Sequence, residues 1–286
     1  MLTAVPVDVV VGSVRGPAML KRLASALVLL PVFLAIVVKA PAFMFNALVV
    51  IASAAALWEL TRLLDQGGRP VYRSLALVTG TLVTASFAGA GLVDPLFLPA
   101  LTLTVAVGAV LSAPVWRGVT ATEPVANTLL AVLYVGWLLG FGILLHHTSP
   151  IGDDLVLFLV GVTWIGETSA YLVGSAIGRH KLAPVISPRK TVEGAAAQVV
   201  ASVISAAALG AWLLPQCGLG VVVTGGALLG VVGQIGDLAE SVIKRSVGTK
   251  DTGALIPGHG GVLDRIDSLL FNLPAFYYFT LVAGCR

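Results

Sequence analysis

Two short segments near the C-terminal end carry residues whose types and spacing could do chemistry. The first is "GQIGDLAESVIKR", followed after a stretch of Gly, Thr and Pro by "GHGGVLDRIDS". On a helix, Asp237, Ser241 and Lys244 stand at i, i+4 and i+7 and share a face, with Glu240 beside it. Asp264 and Asp267 follow at i, i+3, at the expected start of the next helix, and point one way. Three carboxylates on two adjacent helix ends, Asp237, Asp264 and Asp267, make an oxygen-donor set suited to Mg²⁺. Lys244, Arg245, Lys250 and Arg265 surround them with positive charge. Such a set suits a polyphosphate, because a metal bridges phosphate oxygens while cations neutralise charge that develops on the leaving group. The intervening loop can bend sharply and bring backbone N–H groups near an anion.

The second segment is "TWIGETSAYLVGSAIGRHKLAPVISPRKTVEG", from Thr163 to Gly194. Glu167 falls inside an apolar run, with Trp164 and Tyr171 on its helical face. The loop beyond it supplies Arg179, His180, Lys181, Arg189 and Lys190, and Ser187–Pro188 makes a turn. Ionisable groups inside or beside a membrane are costly and mark functional sites by default.

The elements that must position these residues are apolar helices. Mean hydropathy is +0.99, and only 11% of the 286 residues are charged, against about 25% in soluble domains. The reading is an all-α, polytopic integral membrane protein. About nine spans of some 20 residues fit the chain: 23–39, 42–63, 73–93, 96–114, 124–145, 154–177, 195–214, 219–243 and 268–284. With the N-terminus in the cytoplasm, 15 of the 17 Lys and Arg residues fall inside, and only Lys39 and Arg286 outside. Residues 1–22 then form a cytoplasmic tail without the features of a signal peptide. Residues 23–150 form a variable transmembrane region. Residues 151–286 form a catalytic one, whose loops 178–193 and 244–267 lie on the same cytoplasmic side. His146 and His147 fall on the far side as interfacial residues. Cys217 and Cys285 lack metal-ligand spacing and read as small apolar fillers, with nothing in the sequence to support a disulfide. A net charge of +3 is too mild to imply nucleic-acid binding.

The stretch from Ser241 to Asp267, S-V-I-K-R-x4-K-D-x-G-x2-I-P-x-H-G-G-V-x-D-R-I-D, resembles the signature of the phosphatidate cytidylyltransferases, or CDP-diacylglycerol synthases. The upstream H-K-L-A-P-x-I-S-P-x-K-T-x-E-G and G-D-L-x-E-S resemble the same family. The resemblance covers about the last 125 residues, while the first 150 match in general character only, with "LWEL" near the end of the second span. It implies a membrane enzyme that joins CTP to phosphatidic acid, giving CDP-diacylglycerol and pyrophosphate. It also implies a nine-span fold, a homodimer in the cell membrane, and an active site facing the cytoplasm.

Carried over to this chain, the resemblance makes Asp237, Asp264 and Asp267 metal-binding carboxylates for Mg²⁺. It leaves open a second metal or a monovalent cation. Ser241, Lys244, Arg245 and Lys250 would contact phosphates, and Arg265 would do so or hold the loop. Asp251 would orient Lys250, and His259 would donate to a phosphate or stabilise the turn. Lys190 and His180, with Ser187 behind them, would bind phosphate from the other loop. One departure stands out. Relatives carry Asp in W-x-x-D-x-x-A-Y, and this chain has Glu167 there, one methylene longer. Two other readings compete. One is a CTP-dependent transferase for another lipid phosphate, such as an archaeal ether lipid. The other is an ion-coupled transporter, against which the charges gather at one membrane face and no paired broken spans appear.

Overall fold

The computed structural model describes residues 17–89, 94–250, 252, 253, 255 and 260–285, and side chains from residue 27 onward. Among the described residues nine helices follow one another: α1 (Pro17–Lys39), α2 (Ala42–Gln66), α3 (Arg73–Ser86), α4 (Phe97–Arg117), α5 (Glu123–His146), α6 (Gly152–Ile177), α7 (Val192–Leu213), α8 (Leu219–Ser246) and α9 (Leu263–Ala283). Seven of them, α2 and α4 to α9, are long and apolar enough to cross a membrane. Their outer faces carry Phe43, Ile51, Val105, Ile204, Trp212 and Val282 in the open, while Leu57, Phe141, Phe158 and Phe276 fill the interior. Apolar side chains on both faces of a helix are stable only where lipid covers the outer one. The chain is a multi-helix membrane protein.

Of the third expected span, 73–93, residues 90–93 lie outside the described ones. Helix α3 runs to Ser86 and passes into a short 3₁₀ turn, Phe87–Gly89. Its 14 residues reach about 21 Å, less than the roughly 30 Å of a hydrocarbon core. Its small residues serve packing instead. A Cβ on Gly136 of α5 would stand 2.6 Å from the Gly80 carbonyl oxygen of α3. At this crossing α5 widens into a π turn, Val132–Trp137, as helices do where an insertion must be absorbed.

The C-terminal helices α6, α7, α8 and α9 pack in sequence, each against the next, and α9 closes back on the second half of α5. Small residues set these crossings. A Cβ on Gly226 of α8 would come 2.7 Å from the Ser202 carbonyl oxygen of α7. One on Gly236 would come 2.8 Å from the Asp267 carbonyl oxygen of α9. Such contacts let backbones approach where lipid offers no hydrophobic drive between helices. Between α6 and α7 the expected loop 178–193 is folded as an antiparallel hairpin, β1 (Lys181–Ala183) with β2 (Ser187–Thr191). Thr191 ends β2 and caps α7, its hydroxyl accepting from the Gly194 N–H at 3.2 Å.

One expectation is corrected on the end of the bundle away from this hairpin. Cys217, just before α8, and Cys285, just after α9, are joined in a disulfide across 68 residues. The antiparallel α8–α9 pair brings those two ends together, a proximity that spacing along the chain does not reveal. His146 ends α5, with its side chain shielded. It stacks on Phe45 with ring centroids 4.1 Å apart, and its Nε2 lies 3.1 Å from Asp153.

Substituting Gly226→Val should force α7 and α8 apart and cost roughly 1–3 kcal/mol. Thermal unfolding in detergent should show a lower melting temperature for this variant than for Gly108→Val, where a Cβ meets open space.

Candidate active site

The charged end of the bundle is built on α8. Because Gly236 lets α9 lie against α8, Asp237 and Asp267 become electrostatic neighbours on adjacent helices. One turn further along α8, Glu240 is fully buried and Ser241 nearly so. Lys244 reaches back along its own helix to the Glu240 carboxylate, and across to Asp264 Oδ1 at 2.9 Å. Asp264 holds the loop with its second oxygen, which accepts from the backbone N–H groups of Thr252 and Gly261, each at 3.2 Å. Asp267 Oδ1 accepts from the Ser268 N–H at 2.7 Å. Glu167, on α6, lies beside Ser268 and among Asp267, Asp237 and Arg265.

The hairpin closes the site from the other side. Lys190 Nζ, on β2, pairs with Asp237 Oδ2 at 2.8 Å. Arg245 Nε donates to the Ile186 carbonyl at 3.1 Å, and its Nη1 donates to the Thr249 carbonyl at 2.9 Å. That one guanidinium therefore ties the hairpin turn to the segment after α8. A cavity of about 440 Å³ opens between α6, the hairpin, α7 and α8. Glu167, Asp237 and Lys190 line it, joined by Lys181, Arg189, Gln198 and Gln234. Tyr171 stands at its edge, 74% exposed on the apolar outer face of α6.

The expected residues divide as follows. Glu167, Lys190 and Asp237 meet at the cavity. Lys244, Asp264 and Asp267 form the adjoining charged core with Glu240, and Ser241 is buried on the same helix. Arg245 braces the loops and is largely exposed. Lys250 and Arg265 are exposed at the surface around the core. His180 turns to Glu193, its Nδ1 2.7 Å from Oε1, and so secures the base of the hairpin rather than facing the cavity. Ser187 pairs with Ala183 in the hairpin. Asp251 and His259 lie outside the described residues.

The expected metal triad is divided. Among the described residues, no three His, Cys, Asp or Glu side chains form a metal-holding group. The physical reason is Lys244, which engages Asp264 while two backbone N–H groups occupy its other oxygen. What remains still fits a hard cation. Asp237 and Asp267 are neighbours, and the buried Glu240 Oε1 has no hydrogen-bond partner among the described residues. Mg²⁺ commonly takes only one or two carboxylates and keeps several waters.

Sequence reasoning named Glu240 without a role, and it gave no role to Gln198, Gln234 or Thr252. It quoted Glu59 of α2 only within "LWEL" and gave it no role. That side chain is 1% exposed, and its Oε2 accepts from the Leu263 N–H at 2.9 Å at the start of α9. The only signal was a carboxylate inside an apolar span, in "LWEL".

Interleaved cations and carboxylates line or adjoin a cavity at one end of the bundle, and its exposed cations can attract an anion. The chain belongs to the cytidylyltransferase family, whose sequence model matches residues 20–283. A phosphatidate cytidylyltransferase of Staphylococcus saprophyticus is 42% identical over 149 residues, covering 52% of this chain and 56% of that protein. The phosphatidate cytidylyltransferase of Staphylococcus aureus strain COL is 41% identical over 157 residues, with the same coverage. A protein of Escherichia coli K12 named uncharacterized protein YnbB is 42% identical over 153 residues, 53% of this chain and 50% of that protein. The chain spans about half the length of the curated relatives it matches.

Replacing Lys244 by Ala should leave Glu240 and Asp264 buried without their cation. A broken buried pair costs about 3–5 kcal/mol. Thermal unfolding should therefore show a larger loss for Lys244→Ala than for Lys250→Ala, whose side chain is exposed.

Proposed function

We propose that this chain transfers cytidylate from CTP to phosphatidic acid, forming CDP-diacylglycerol and pyrophosphate. The observation that carries the reading is the meeting of Lys190–Asp237 with the Lys244–Asp264 core beside one cavity. Family membership and the names of the two staphylococcal relatives agree with it.

The reaction needs an oxygen of the lipid phosphate to attack the α-phosphorus of CTP in line. The bond to the β-phosphate oxygen then breaks, and pyrophosphate leaves with its electron pair. The nucleophile is anionic near neutral pH, so no strong general base is required, and catalysis rests on orientation and charge stabilisation. Lys181, Arg189 and Lys190 attract the phosphates at the cavity, with Lys250 and Arg265 adding charge around its edge. Asp237 and Asp267, with Glu240 behind them, would hold Mg²⁺, which would supply Lewis-acid stabilisation of phosphate oxygens. Lys190 would exchange Asp237 for an entering phosphate, one ionic partner for another. Asp264 keeps Lys244 and the loop in register. Glu167 extends one methylene further than the family Asp toward the same carboxylates.

In this reading residues 151–286 form the catalytic region and residues 23–150 a variable one. The charged end faces the cytoplasm, as does the N-terminus. The membrane is the cell membrane, and the protein works as a homodimer. Lipid tails stay in the bilayer beside the outer face of α6 while the headgroup reaches the cavity.

The test uses purified chain in detergent with phosphatidic acid, labelled CTP and Mg²⁺. Wild type should form lipid-linked cytidylate and pyrophosphate one to one, and chelation of Mg²⁺ should stop it. Asp267→Asn, folded as judged by its melting curve, should lose at least about 10²-fold in kcat. Wild-type activity in Asp267→Asn would remove that residue from the metal site. Product formed only with a different lipid phosphate would replace phosphatidic acid as the substrate. Inactivity of folded wild type on all lipid phosphates would overturn the reading.

A further inference from the structure

Glu59 lies in "LWEL", far in sequence from the charged motif segments, yet it touches the motif loop directly. Its Oε2 accepts from the N–H of Leu263, the first residue of α9. Val262, in the cap position before it, offers no side-chain cap. The first N–H groups of a helix have no partner within it, and negative charge is favoured there. A side chain 204 residues away thus supplies what the local sequence lacks.

The same carboxylate is pressed against two glycines of the loop. A Cβ on Gly253 would stand 2.7 Å from Glu59 Oε1, and one on Gly261 would stand 2.7 Å from Oε2. Gly253 follows Thr252, and the N–H groups of Thr252 and Gly261 are the two that Asp264 holds. Glu59 and Asp264 therefore grip the same stretch of backbone, and Asp264 follows Leu263 directly in sequence. Glu59 does not line the cavity.

We propose that Glu59 is a positioning residue for the transfer reaction. It fixes the start of α9 and the loop backbone, so that Asp264 meets Lys244 and Asp267 stands beside Asp237. The kinetic part of this inference rests on the transferase reading, and the backbone part does not.

The experiment compares wild type, Glu59→Ala, Glu59→Gln and Gly253→Ala as full chains in detergent. It measures amide hydrogen exchange over residues 247–268, and kcat and KM for CTP. In Glu59→Ala the peptides containing Thr252, Gly261 and Leu263 should exchange at least about tenfold faster, since they lose the contact that closes them. Its kcat should fall about 10²-fold, as expected when reacting groups shift by an ångström, with KM for CTP within about threefold of wild type. Glu59→Gln keeps an acceptor oxygen for Leu263, so it should restore near-wild-type exchange and most of kcat. Wild-type exchange in Glu59→Ala would overturn the proposal, and so would Glu59→Gln behaving like Glu59→Ala. Should Glu59→Ala not fold, Gly253→Ala carries the test by pushing on the carboxylate from the loop. Faster exchange at Leu263 would then support the proposal, and unchanged exchange would overturn it. If wild type transfers no cytidylate, the exchange arm still decides the backbone claim.

Discussion

A single buried cation organises this end of the molecule. Lys244 lies between Glu240, which has no exposure, and Asp264, whose other oxygen holds two loop amides. Burying an ammonium or a carboxylate alone costs several kcal/mol, so neither the lysine nor Glu240 is tolerated there without the other. The consequence is geometric. The end of α8 must meet the beginning of α9, and the loop between them must turn inward to satisfy Asp264. Each remaining feature of the site leans on that junction, including the closeness of Asp237 to Asp267 and the bracing of the hairpin by Arg245.

The second half of the site is held more loosely. Lys190 and Asp237 are both partly open to solvent, and their pairing joins a hairpin to a helix rather than two packed helices. Such a half-buried pair is more open to an entering anion than the Lys244 core, whose side chains are 13% exposed or less. The site therefore joins a rigid ionic core, which sets distances, to a softer ionic contact at the cavity that an entering anion can displace. That division suits a reaction whose catalysis is mostly orientation and charge stabilisation.

Much of this was legible along the chain. Hydropathy located the helices to within a few residues, because a membrane demands long apolar runs and tolerates few charges between them. At α3 the described helix runs only from Arg73 to Ser86, and its Gly80 packs against Gly136 of α5, a contact that hydropathy does not report. The i, i+3 and i, i+4 spacing correctly brought Asp237, Lys244, Asp264 and Asp267 to one end. It could not reveal that Lys244 separates Asp264 from the other two, because partner choice depends on how α8 and α9 cross at Gly236. Glu167 proved a neighbour of the core despite its extra methylene. Glu59 and the Cys217–Cys285 link were opaque for a common reason. Their partners lie 204 and 68 residues away, where local pattern carries no information.

The link between Cys217 and Cys285 has a mechanical consequence. Helices α8 and α9 run antiparallel, and the covalent tie fastens the end opposite the Lys244–Asp264 pair. A helix advances about 1.5 Å per residue, so an axial slip of one residue would shift Asp267 past Asp237 by that amount. Fastened at the far end, the two helices resist such sliding and keep a single register. With the Lys244–Asp264 pair at the other end, the two helices are fastened like a ladder's two rails, by one covalent rung and one ionic rung.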